Sequence, residues 1–99
     1  MIQIIALLYA SENGINGLRE FESKAIPILR EHQGILLSAS SNSRRSFNEP
    51  DEIHIIQFPS MKEFEDYKND PRMLNLRSLK ESMIRKMELH ITNQFYEYE

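Results

Sequence analysis

Ninety-nine residues leave room for one hydrophobic core, so residues 1–99 are expected to form a single domain. With 40% hydrophobic and 27% charged residues the composition is that of a globular domain, and a net charge of -3 argues against sequence-independent nucleic-acid binding. The absence of cysteine excludes disulfides, thiolate nucleophiles and thiolate metal sites.

The opening MIQIIALLYA has no basic leader region, and no run approaches the length of a membrane span, so a cytoplasmic location without membrane contact is expected. Ile2 to Tyr9 reads as a strand with apolar residues on both faces: Ile2, Ile4, Ala6 and Leu8 on one, Ile5, Leu7 and Tyr9 on the other. From about Gly17 to His32, the residues Leu18, Phe21, Ala25, Ile28 and Leu29 recur at helical intervals. Pro27 inside this pattern predicts a kink or restart, and His32 with Gly34 marks the helix end, Gly34 taking the left-handed cap. Ile35 to Ser40 is a second, shorter strand. Ser41 to Pro50 is a polar hairpin loop.

Ile53 to Phe58 is the third strand, stopped by Pro59. Ser60 and Glu63 have capping-box spacing, with the Ser60 hydroxyl set to accept the Glu63 N–H and the Glu63 carboxylate to accept the Ser60 N–H. The helix this opens runs to Asn69 with Met61, Phe64 and Tyr67 inward. Asp70-Pro71 then starts another helix, as N-cap and first helical residue, with Met73, Leu74, Leu76, Leu79 and Met83 on one side. Arg77, Glu81 and Arg85, spaced by four, form a charged edge. Met87 to Thr92 alternates as a half-buried strand, and 93–99 is an aromatic tail, either an arm or an edge strand.

The order β-α-β-β-α-β defines a ferredoxin-like α+β fold: a four-stranded antiparallel sheet, helices on one face, and the first and third strands central. Helices on one face leave the other bare. About six large side chains (Ile5, Leu7, Leu36, Ile53, Ile55 and Tyr9) would then stay wet. At roughly 1.5–3 kcal/mol per buried side chain this forgoes about 9–18 kcal/mol gross, as much as a small domain's whole stability of roughly 5–15 kcal/mol. A second copy packed sheet to sheet is the simplest cover, which predicts a homodimer enclosing an apolar barrel.

The segment IIQFPSMKEFEDYKNDPRMLNLRSLKESM, with the first strand, AIPILREHQG and the closing MELHI, resembles the bacterial domain-of-unknown-function family numbered thirteen-thirty, in the dimeric α+β barrel (ferredoxin-like) superfamily. The matching positions are Phe58-Pro59-Ser60, Asp70-Pro71, Leu76-Arg77-Ser78-Leu79-Lys80, Pro27 and the His32-x-Gly34 turn. Lys80 stands where a second Arg is common, and Gln57 where an acidic residue is common. The resemblance, over residues 2 to about 92, implies the fold and dimerisation. Its superfamily spans cofactor-free monooxygenases, haem-degrading enzymes, dehydratases and ligand-binding domains, and fold alone does not choose among them.

Two strand histidines are the candidate catalytic residues. His90, on the polar side of its strand beside Glu88 and Thr92, can act as a base inside the barrel, or stand as a surface or interface histidine. His54 alternates with Ile56 and Phe58 and reads either as a base or as a core histidine. For ligand binding the candidates are Arg44 and Arg45 as a guanidinium clamp in the Ser/Asn-rich loop, Tyr67 and Arg77 beside the helix–sheet cleft, and Tyr9. Each has a plainer alternative, a solvated loop or helix packing. Metal-ligand spacings, a glycine-rich phosphate loop and a nucleophile elbow are all missing, so no metal and no cofactor are expected. The expected function is binding of a small apolar or aromatic metabolite; the alternative is a cofactor-free monooxygenase- or isomerase-type enzyme with a strand histidine as base. An RNA-binding module ranks last, because the strands lack a basic stripe.

Overall fold

The computed structural model describes residues 1–12, 14–43, 46 and 48–98. In chain order these form β1 (Ile2–Ala10), α1 (Gly14–Glu31), β2 (Ile35–Ser41), β3 (Glu52–Phe58), α2 (Met61–Lys68), α3 (Pro71–Asn75), α4 (Arg77–Met83) and β4 (Ile84–Thr92). The strands make one antiparallel sheet ordered β2-β3-β1-β4, with β3 and β1 in the centre, and the helices cover one side. This is the ferredoxin-like α+β fold.

Register assigns the paired strand residues to faces, because side chains alternate and directly paired residues point the same way. Ile2, Ile4, Ala6 and Leu8 share the helix side with their partners Phe58, Ile56, His54 and Glu52. Ile5 and Leu7 share the other side with Ile55 and Ile53. On β4, Met87 and Leu89 follow Leu8 and Ala6 to the helix side, while His90 pairs with Ile5 on the open side. Leu36 differs from expectation: it pairs with Ile56 and lies on the helix side. Both faces of the sheet are apolar, so composition alone could not set the phase of this short strand.

The covered side holds two apolar clusters. Ala6, Leu8, Leu18, Phe21, Ala25 and Ile84 form one; Ile2, Ile4, Leu29, Phe58 and Phe64 form the other. Phe58 is fully buried, with its ring 5.5 Å from that of Phe64 and 5.8 Å from that of Tyr67.

Several local expectations need correcting. Helix α1 is unbroken across Pro27; Pro27 is exposed, so water can reach the Ser23 carbonyl that its ring leaves unbonded. The left-handed residue ending α1 is Gln33 (φ 65°), not Gly34. Gly34 serves close approach instead: its N–H bonds the Leu29 carbonyl at 2.9 Å, and a Cβ there would lie 2.6 Å from the Leu29 side chain. At α2, the Ser60 hydroxyl accepts the Lys62 N–H at 3.2 Å and donates to the Glu63 carboxylate, so the cap closes between side chains. Phe64 is buried and Tyr67 half-buried as expected, but Met61 in the first turn is exposed. The helix opened by Asp70-Pro71 breaks at Leu76, which ends α3 and caps α4. The last strand starts at Ile84, directly after α4, and residues 93–98 have no regular structure.

A polar clamp ties the end of α1 to the start of α3. Asp70 accepts the Arg72 N–H at 2.8 Å, its carboxylate is 2.8 Å from His32 Nε2, and the Arg72 guanidinium bridges Asp70 (2.9 Å) and Glu31 (2.6 Å). Hydrogen bonds from the Arg72 side chain first, and from His32, hold the Asp70 carboxyl well below the usual carboxylate range.

Candidate functional site

Between the two apolar clusters, under α1 and behind the α2–α4 segment, the covered side of the sheet is not fully filled. A cavity of about 340 Å³ remains there, floored by Ile4, Ala6, Leu8, His54, Ile56 and Phe58. Its walls are largely apolar, from Phe21, Ile26 and Leu29 of α1 to Met73 and Leu74 of α3. That is the usual form of a small-molecule site: concave, apolar and furnished with a few polar groups.

One set of polar groups lies at one end of β3. His54 lies opposite Ala6, whose single methyl leaves the imidazole room beneath α1. His54 Nε2 is 2.7 Å from Glu52 Oε1, two residues earlier on the same face. Nδ1 is 3.8 Å from a Glu22 carboxylate oxygen, beyond hydrogen-bond reach. All three side chains are 4–16% exposed. Arg19, largely exposed, stands 3.4 Å behind Glu52 and closes the row toward solvent. Burial pushes the Glu22 carboxyl up, opposed in part by the nearby His54. Glu52 therefore fixes the imidazole ring, and Glu22 is the acid beside its other nitrogen. A histidine oriented by a carboxylate and facing an apolar cavity has the form of a general base.

Tyr67 lies at the aromatic end of the same cavity, its ring 6.4 Å from His32 in an edge-on contact. Burial pushes its phenol up, so it stays a protonated donor. Arg77 lies at the mouth with Lys80 and Glu81. The structure thus brings His54, Tyr67 and Arg77 to one cavity. Tyr9 and His90 are elsewhere. Tyr9 is buried on the open side, with Arg85 and Lys86 5.2 and 5.0 Å from its ring centre. His90 is largely exposed on that side, 3.9 Å from Glu88. Arg44 and Arg45 lie outside the described residues.

Sequence reasoning missed Glu22, Glu52 and Lys80. A signal for two of them was present: Glu22 interrupts the apolar stripe between Leu18 and Ala25, and Glu52 precedes His54 by one strand period. Among the described residues, no three His, Asp or Glu side chains are placed to hold a metal ion, and no helix is long and apolar enough to cross a membrane.

No protein-family model matches the chain, and no curated protein matches it by sequence. Solved structures match its fold. A protein of unknown function from Rhodopseudomonas palustris superposes with a TM-score of 0.79 at 13% identity, over 97% of this chain and 83% of that one. An antibiotic biosynthesis monooxygenase gives 0.73 at 11% identity, over 97% and 100%. An uncharacterised NIPSNAP domain protein from Burkholderia xenovorans gives 0.74 at 9% identity, over 96% and 95%. At these identities the likeness concerns the fold, which the chain shares end to end with monooxygenase-like and NIPSNAP proteins of the ferredoxin-like α+β class.

Proposed function

We propose that this protein binds a small apolar or aromatic metabolite in the cavity between its helices and its sheet, and that it works as a homodimer joined through the open side of the sheet. The observation that carries the first half is the cavity itself, about 340 Å³ with apolar walls and the His54–Glu22–Glu52 group at one end. A well-packed core of this size has few voids larger than a water molecule, so an unfilled apolar space furnished with a few polar groups suits a ligand. The second half rests on Ile5, Leu7, Ile53 and Ile55, which form a contiguous apolar patch with no helix over it. The likeness to family thirteen-thirty and a cytoplasmic location belong to the same proposal.

Native mass spectrometry of protein purified under non-denaturing conditions tests it. The expected result is a dimer carrying a small-molecule adduct, or one whose thermal midpoint rises with aromatic members of a metabolite panel. A monomer without adduct that responds to no compound contradicts the proposal.

A second reading is favoured by one contact, the Glu52 carboxylate on His54 Nε2, which orients the ring as a base. On it the protein is a cofactor-free monooxygenase- or isomerase-type enzyme in which His54 takes the proton from a bound phenolic substrate. The superposition on an antibiotic biosynthesis monooxygenase supports it at the level of fold. Turnover of a phenolic substrate that is lost in His54→Ala and kept in His90→Ala is the expected outcome; the reverse pattern moves the base to the open side.

A further inference from the structure

The proposed ligand is so far described only by the apolar walls; the charges at the mouth of the cavity narrow it. Three cations line the space, Lys68, Arg77 and Lys80, in a protein whose net charge is -3. They are not equivalent. Lys68 is already engaged, 3.3 Å from Glu65 and 4.6 Å from the centre of the Phe64 ring. The side chains of Arg77 and Lys80, one helical turn apart on α4, form no ion pair or hydrogen bond with any described residue. Glu81 lines the same mouth without closing a salt bridge to either. Glu22 is the acid that faces Lys80 across the cavity, and burial favours its neutral form, so it answers that charge only weakly.

An uncompensated guanidinium and a half-buried ammonium beside an apolar cavity are suited to an anion, since charge-assisted bonds to a carboxylate are stronger than neutral ones and arginine's fork matches it with two donors. Resting on the reading of the cavity as a ligand site, we infer that the ligand is an aromatic carboxylate, its ring body in the apolar space and its carboxylate held between Arg77 and Lys80. That arrangement puts the charged end at the mouth and the rest of the molecule along the sheet toward His54 and Tyr67.

The test compares two isosteric probes, 2-naphthoate and naphthalene-2-carboxamide, titrated by fluorescence into the wild-type protein and into R77Q/K80Q and K68Q variants. The naphthoate is expected to bind about tenfold more tightly than the carboxamide, equivalent to about 1.4 kcal/mol. R77Q/K80Q should reduce that preference to about twofold or less without weakening carboxamide binding, while K68Q leaves it in place. Should R77Q/K80Q unfold, the salt dependence of the wild-type preference gives the same information, since raised salt should lower naphthoate affinity and leave the carboxamide unaffected. Equal binding of the two probes overturns the carboxylate inference and leaves the apolar ligand site standing. Failure of both probes to bind overturns the inference together with the site reading. A preference unchanged in R77Q/K80Q also overturns it, by placing the anion elsewhere.

Discussion

His54 and His90 flank consecutive residues of β1, His54 paired with Ala6 and His90 with Ile5. That one-residue offset gives them opposite surroundings. His54 is 3% exposed, held by Glu52 and roofed by α1. His90 is largely in solvent, beside Glu88 on a face that no helix covers. The same residue type is thus an oriented imidazole in an apolar cavity on one side, and a peripheral residue beside an apolar patch on the other. What separates them is strand phase, not local sequence. The covered side leaves a cavity between helices and sheet; the open side presents an apolar patch.

The largest effect that sharpens this contrast comes from the covered side. Phe58→Ala removes a fully buried ring from the cluster around Phe64 and should cost about 3–5 kcal/mol in urea unfolding. A loss below about 1 kcal/mol would mean that this cluster is not the core described. Next comes Ile55→Ala on the open side. If a second copy covers Ile55, the substitution should cost about 2–3 kcal/mol and weaken the rise of the unfolding midpoint with protein concentration. A small cost at every concentration shows the face bare and removes the dimer.

The pH dependence of Glu22→Gln follows. Burial raises the native Glu22 pKa above its unfolded value, so the folded state holds the proton more tightly than the unfolded one. Stability should therefore fall as pH climbs from about 4.3, the usual glutamate value, up through the raised native value. Glutamine cannot titrate, so the variant should gain on the wild type between acidic and neutral pH in paired denaturant melts; a difference independent of pH contradicts the buried acid. Smallest of all, His90→Gln should shift stability by no more than about 0.5 kcal/mol, because its side chain is largely exposed and its ion pair with Glu88 is long, at 3.9 Å. A much larger loss would make His90 a structural member of the open side.

The helix–strand order was legible because the signals were local: alternation in Ile2 to Tyr9, three- and four-residue spacing from Leu18 to Leu29, and Asp70-Pro71 as a helix start. Central placement of β1 and β3 followed from connection handedness. The phase of β2 and the roles of the two histidines were harder, because β1 is apolar on both sides and only pairing shows which side the helices take. The break at Leu76 carries neither Gly nor Pro, so an unbroken apolar stripe concealed it. The clamp of Glu31, His32, Asp70 and Arg72 joins residues up to 41 positions apart, and local spacing cannot show such a contact. His54, Tyr67 and Arg77 were each visible as candidates, but that they share one cavity with Glu22 and Lys80 is a fact of tertiary packing.

Amide and methyl chemical-shift mapping with 2-naphthoate asks most directly whether the covered side of the sheet is where a ligand goes. Shifts centred on Ala6, His54 and Ile56, with Ile5, Ile53 and Ile55 left in place, are the predicted result. Shifts gathered on those three isoleucines, or on the tail beyond Thr92, would contradict it.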